Sequence, residues 1–151
     1  YMRGRLEEEV QRAARYHRSC AVALFNLDNF REFQNLYGAL SSEKVLHQMA
    51  ELFKHEVSEV DRVGRMGQNE FALILPERNK REAIELAESI RKKIEKHSFM
   101  NGLEPFPKTL TVSGGVSENP IDGITAEELF SKAAEGIRRA KSEGKNRVGV
   151  A

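Results

Sequence analysis

The chain has 151 residues, 40% of them hydrophobic and 31% charged, and 24 basic against 23 acidic side chains leave a formal charge of +1. That is the size of one domain, too apolar for a disordered tail, and no run of about 18 apolar residues is present that could span a bilayer. With no overall field, neither a nucleic-acid partner nor direct membrane insertion is expected, and electrostatic work must be local. Cys20 is the only cysteine and the four histidines form no close pair, which excludes a disulfide framework and a Cys/His zinc site and fits a reducing cytoplasm. Tyr1 opens the chain without an initiator Met or an apolar leader, so the expectation is a segment of a longer signalling protein, itself cytoplasmic even if the whole is attached to a membrane.

In chain order, Leu6, Val10, Ala13 and Ala14 recur at helical spacing and predict an amphipathic helix to His17. Its narrow stripe suits pairing with another helix, and packing onto its own domain stands as an equal alternative; residues 1–17 are assigned as an entry or signalling helix and residues 18–151 as one domain. Cys20 to Phe25 is an unbroken apolar run, the pattern of a strand covered on both faces. After the polar turn at Asn26–Asn29, Phe30, Phe33 and Tyr37 predict a helix that Asp28 or Asn29 caps and Gly38 ends. Val45, Leu46, Met49, Leu52 and Phe53 place a second helix from Ser42 to about Val57, capped by Ser41 or Ser42. Val60–Met66 and Phe71–Leu75 read as a hairpin around Gly67-Gln68-Asn69-Glu70, with Gly67 suited to a type II′ turn. Asn79 and Glu82 form a capping box for a helix to about Lys96, and the prolines that follow mark a loop. Thr109–Ser117 is a strand, Thr125 and Glu128 open a last helix stopped by Gly144, and Arg147–Ala151 is a short final strand. This order describes an α/β fold with a mixed central sheet flanked by helices.

Polar residues meet tight turns at two strand ends, which makes Asn26, Asp28, Gln68, Asn69 and Glu70 candidates for a ligand site, since open α/β sheets bind ligands there. On the residues alone a second reading stands beside it: Asp28 caps a helix and Gly67-Gln68 turns a hairpin.

The segments Asn26-Leu-Asp28-Asn-Phe30-Arg31, Gln34 to Ala39 with Ser42-Glu43, Arg65-Met66-Gly67-Gln68-Asn69-Glu70-Phe71, Thr111-Val-Ser-Gly-Gly-Val116, and Ala140-Lys141 with Gly144-Lys145-Asn146-Arg147 together resemble the GGDEF domain, the catalytic module of bacterial diguanylate cyclases. The resemblance spans nearly the whole chain. It implies a palm-like sandwich of the nucleotidyl-cyclase type, in which two facing domains, each holding GTP with magnesium, form cyclic di-GMP. By position, Asn26 stands at the family's first metal-binding Asp and Asn69 at the acidic residue of the signature loop, leaving Glu70 as the remaining carboxylate. Magnesium is held by anionic oxygens, so no metal or other cofactor is expected, and the signature loop Gly67 to Phe71 is expected to be vestigial in catalysis. Gln34 and Glu43 stand at the guanine-reading Asn and Asp, each one methylene longer, and Gln68 replaces a glycine near the phosphates. Arg31, Lys141 and Lys145 match the family's phosphate-side cations. The inhibitory Arg-x-x-Asp product site reads Ser58-Glu-Val-Asp61, lacks its guanidinium fork, and is expected not to bind product, with Asp61 closing a turn.

The resemblance with these departures implies a degenerate GGDEF domain in cyclic di-GMP-type signalling, regulatory, nucleotide-sensing or dimerising rather than catalytic. Its candidate partners are GTP or another nucleotide, other domains of the same polypeptide, and a second copy in a homodimer. The alternative is an active diguanylate cyclase with unusual ligands for Mg2+.

Overall fold

In the computed structural model, which describes residues 1–151, the apolar run near the start becomes β1 (Cys20–Leu27), the middle strand of a five-stranded sheet. Alternation along β1 sends Ala21, Ala23, Phe25 and Leu27 into one apolar cluster and Cys20, Val22 and Leu24 into another on the opposite face. Its neighbours are β3 (Glu70–Pro76) and β6 (Val112–Asn119), both antiparallel to it. β2 (Arg62–Arg65) extends the sheet beyond β3, and β7 (Val148–Gly149) pairs in parallel with β6, which makes the sheet mixed. The strand order is β2-β3-β1-β6-β7.

Helices cover both faces. α2 (Phe30–Glu56) and α3 (Lys80–Lys96) supply Phe33, Val45, Met49, Phe53, Ala87 and Ile90 to the first cluster. α1 (Met2–Arg15) and α4 (Ala126–Ser142) supply Leu6, Ala13, Leu129 and Ala133 to the second. α3 begins with the expected capping box: Glu82 N–H donates to Asn79 Oδ1 at 2.9 Å and Asn79 N–H donates to Glu82 Oε1 at 3.0 Å. α4 lies so close to the sheet that a Cβ on Gly115 would come within 1.9 Å of the Ala133 carbonyl, which is why only glycine serves there.

Several expectations are corrected. Of the two destinations open to the stripe of the first helix, its own domain is the one seen: Met2, Leu6 and Ala13 are buried in the core that residues 18–151 build. The label α2 covers two helical stretches that break, as expected, at the non-helical Gly38 (φ 87°, ψ 170°). Gly38 does end the first stretch, but the second needs no serine cap: Ser42 Oγ donates 2.8 Å back to the Gly38 carbonyl, a bond within the helix. Asn29 occupies the N-cap position of α2 without a capping side-chain bond, and Asp28 is engaged elsewhere. Gly67 lies outside the left-handed region, so the hairpin is not a type II′ turn; it is a longer loop closed by the Met66 N–H donating to the Glu70 carbonyl at 2.8 Å. Within the proline-marked loop, β4 (Met100–Asn101) and β5 (Glu104–Pro105) form a small hairpin turned by Gly102 (φ 72°).

Candidate functional site

The antiparallel register places Asn26, near the end of β1, directly opposite Glu70 of β3 on one side and Ser113 of β6 on the other. The Asn69 carbonyl accepts from the Leu27 N–H at 3.1 Å, so the tip of the signature loop is fastened to the same strand end. Asn26, Asn69 and Glu70 therefore share one corner, as their motif positions imply. Glu70 is its only carboxylate among the three, and burial pushes that carboxyl above its ordinary range.

One step further along, Asp28 is buried and takes four hydrogen bonds. Ser113 Oγ and Lys141 Nζ donate to Oδ1 at 2.7 and 3.1 Å, while Thr111 Oγ1 and the Asn146 N–H donate to Oδ2 at 2.7 and 3.0 Å. Burial alone would raise this carboxyl, but the bonds from Ser113, Thr111, Lys141 and Asn146 outweigh it and hold the group below the usual aspartate range. Next to it, the Asn29 amide oxygen accepts from Lys145 Nζ. Two of the expected phosphate-side cations thus reach adjacent residues of one turn. Lys141 is charge-matched by Asp28, whereas Lys145 faces a neutral amide. Arg31 is exposed in the first turn of α2, whose N-terminal N–H groups have no side-chain cap.

On the other flank Gln34 is half-buried ahead of the Gly38 bend and Glu43 lies beyond it. Arg65 forks onto Glu43, Nη1 to Oε2 at 3.0 Å and Nη2 to Oε1 at 2.9 Å, and its Nε donates to the Gln68 carbonyl at 3.1 Å. The fork holds the Glu43 carboxyl below its ordinary range and, through the Arg65 bond to the Gln68 carbonyl, ties Glu43 to the signature loop.

At the position of the inhibitory site, Ser58 N–H and Oγ both donate to Asp61 Oδ2 at 2.9 Å, and Arg78 Nη2 adds a bond at 3.1 Å. Asp61 closes a turn and is buried, its Oδ2 shared between its own loop and Arg78. A surface cleft of about 740 Å³ between α1 and the far ends of β2 and β3 is lined by Arg12, Arg62, Glu9 and Glu77 among others and contains none of the strand-end residues.

Sequence reasoning missed Arg65, Arg91 and Asn146 as members of the site's framework, and it left Asp28 open between a ligand-site residue and a helix cap without foreseeing its four donors. The signal available for Asn146 was its turn-forming type after Gly144, since Asn tolerates left-handed backbone. Nothing in the sequence marked Arg91, which stands in the middle of an amphipathic helix.

A family profile described as "Diguanylate cyclase, GGDEF domain" matches residues 1–147. The response regulator PleD of Caulobacter vibrioides is 30% identical over 148 residues, 98% of this chain, and the chain spans only a third (33%) of that relative's length. Among solved structures, the diguanylate cyclase SiaD of Pseudomonas aeruginosa, in complex with its activator SiaC, superposes with a TM-score of 0.88 at 29% identity, covering 97% of this chain and 55% of that one. The GGDEF domain of DgcB from Caulobacter crescentus, in complex with c-di-GMP, gives a TM-score of 0.91 at 20% identity over 98% of this chain and 84% of that one, a likeness of fold.

Proposed function

As the chain belongs to the GGDEF domain family of diguanylate cyclases, we propose that it is a member that holds a nucleoside triphosphate without condensing it and acts as a regulatory domain in a longer protein of cyclic di-GMP signalling. The observation that carries this reading is the corner formed by Asn26, Asn69 and Glu70, where the register puts an amide opposite the one carboxylate. Magnesium demands near-octahedral anionic or water oxygens and dehydrates reluctantly, and two amides beside one half-buried carboxylate do not fit it. Amides preserve the shape of the corner and remove the charge that would neutralise a developing oxyanion.

Anion binding is retained. Lys145 reaches the turn after β1, Arg31 stands in the first turn of α2, and the start of that helix is uncapped; a helix N-terminus with nearby cations attracts phosphate. Lys141 is shared with Asp28, so its contribution is smaller than its sequence position implies. The regulatory output would pass to another domain of the same polypeptide, a partner protein or a second copy of the chain.

The test is a pair of measurements on the same protein. Calorimetric titration with GTP should show weak binding that changes little with magnesium and weakens as salt is raised, because partly exposed charge contacts are screened. Incubation of GTP with magnesium or manganese should yield no cyclic di-GMP, while Asn26→Asp combined with Asn69→Asp should gain magnesium binding. Cyclic di-GMP formed by the unsubstituted protein at an enzyme-like rate would establish the other reading, an active cyclase with unusual ligands.

A further inference from the structure

Lys145 and Asn146 are consecutive residues in the left-handed region, with φ of 66° and 49°. Two such non-glycine residues in a row are uncommon even though Asn tolerates this backbone, and they persist where the surroundings impose them. The surroundings here are explicit. The Asn146 N–H donates to Asp28, its Oδ1 accepts from Arg91 Nη1 at 2.9 Å, and its Nδ2 donates to Glu95 Oε2 at 2.7 Å. Arg91 is itself pinned by Glu88, whose Oε1 also accepts the Val148 N–H at 3.2 Å. A polar chain therefore runs from α3, through the loop before β7, to the buried carboxylate that Lys141 contacts.

We propose that Asn146 is a positioning residue for phosphate: clamped by Arg91 and Glu95, it fixes the loop backbone that aims Lys145, and through Asp28 it fixes Lys141. This rests on the reading that the turn after β1 takes a nucleoside triphosphate. Arg91 acts from the far side of the loop, through Asn146. The ammonium of Lys145 sits one residue before the clamped amide and reaches Asn29, beside the start of α2. Loss of the clamp frees the loop to relax toward ordinary right-handed or extended backbone, which would swing Lys145 away from that turn. Recognition of the base, which lies on the Gln34, Glu43 and Arg65 side, would be untouched.

The experiment compares GTP with GMP, because misplacing the phosphate-facing cations should reduce triphosphate binding and spare the nucleoside monophosphate. Asn146→Gly keeps the left-handed backbone accessible while removing the clamp. Calorimetry should show about a tenfold loss of GTP affinity, about 1.4 kcal/mol, with GMP affinity changed less than about twofold. Arg91→Gln should give the same selective loss, and the double variant should be no worse than either single one, since both break the same chain. Should Asn146→Gly fail to fold, Arg91→Gln carries the comparison alone. An unchanged GTP-to-GMP ratio in the folded variants, or equal losses for both nucleotides, would overturn the positioning role and leave nucleotide binding intact. Absence of binding of either nucleotide to the unsubstituted protein at millimolar concentration would overturn both.

Discussion

Four donors converge on the two oxygens of Asp28, so the ionised carboxylate is the only side chain of its size that satisfies all of them. An amide at this position would present N–H groups to one pair of donors. Asp28→Ala leaves Lys141 and the Asn146 N–H without their partner and is expected to cost about 3 kcal/mol, read as a shift in the urea midpoint, as for a broken buried ion pair. Asp28→Asn should recover only part of that. Cys20 offers a pH measurement. Burial, then the charges of Glu9 and Glu118, push its thiol up to about 12. The folded protein therefore keeps the proton that an unfolded thiol begins to release near pH 8.5. Labelling by a thiol reagent should stay negligible in the native protein from pH 7 to 9.5 and become fast on unfolding, and any stability linked to this proton declines as pH rises above the unfolded value toward 12. Rapid native labelling with rising pH would show that Cys20 is accessible.

At the scale of elements, α1 is part of the fold's second core. Leu6 is fully buried against α4 and the sheet, and Val10 packs beside it. Leu6→Ala should destabilise the protein by about 2–5 kcal/mol, and removal of residues 1–17 should lower the melting temperature sharply by uncovering Ala72 and Ile74 of β3. If truncation left the melting point unchanged, the packing of α1 on this domain would be wrong. The bend in α2 has a different cause: Gly38 adopts a left-handed φ, so the two stretches of the helix can be aimed separately, one carrying Gln34 and the other Glu43.

The whole molecule is held by one strand. β1 contributes alternate side chains to both apolar clusters and hydrogen-bonds to both β3 and β6. The two cores therefore cannot come apart independently, and thermal unfolding followed by far-ultraviolet circular dichroism and by tyrosine fluorescence should give coincident single transitions. Two separate transitions would mean that one face of the sheet can lose its helices alone.

The same architecture separates what the sequence determined from what required the folded chain. Periodicity, caps and the apolar run of β1 settled the existence and order of the main elements, because these depend on neighbours a few residues away. The convergence of Asn26, Asn69 and Glu70 was legible through motif positions: the register sets Asn26 opposite Glu70, and the Leu27 N–H bond to the Asn69 carbonyl brings in the third. The role of Asp28 was not legible. Its partners Thr111, Ser113, Lys141 and Asn146 lie 83 to 118 residues away in sequence, so only the closing of β6 and α4 onto β1 reveals that it anchors a network instead of capping a helix. The destination of the α1 stripe, the fork of Arg65 on Glu43 and the clamp on Asn146 are of the same kind. An amphipathic stripe states that a face will be buried, and a charged side chain that it will find a partner, but which surface and which partner are decided by long-range packing that no local pattern encodes.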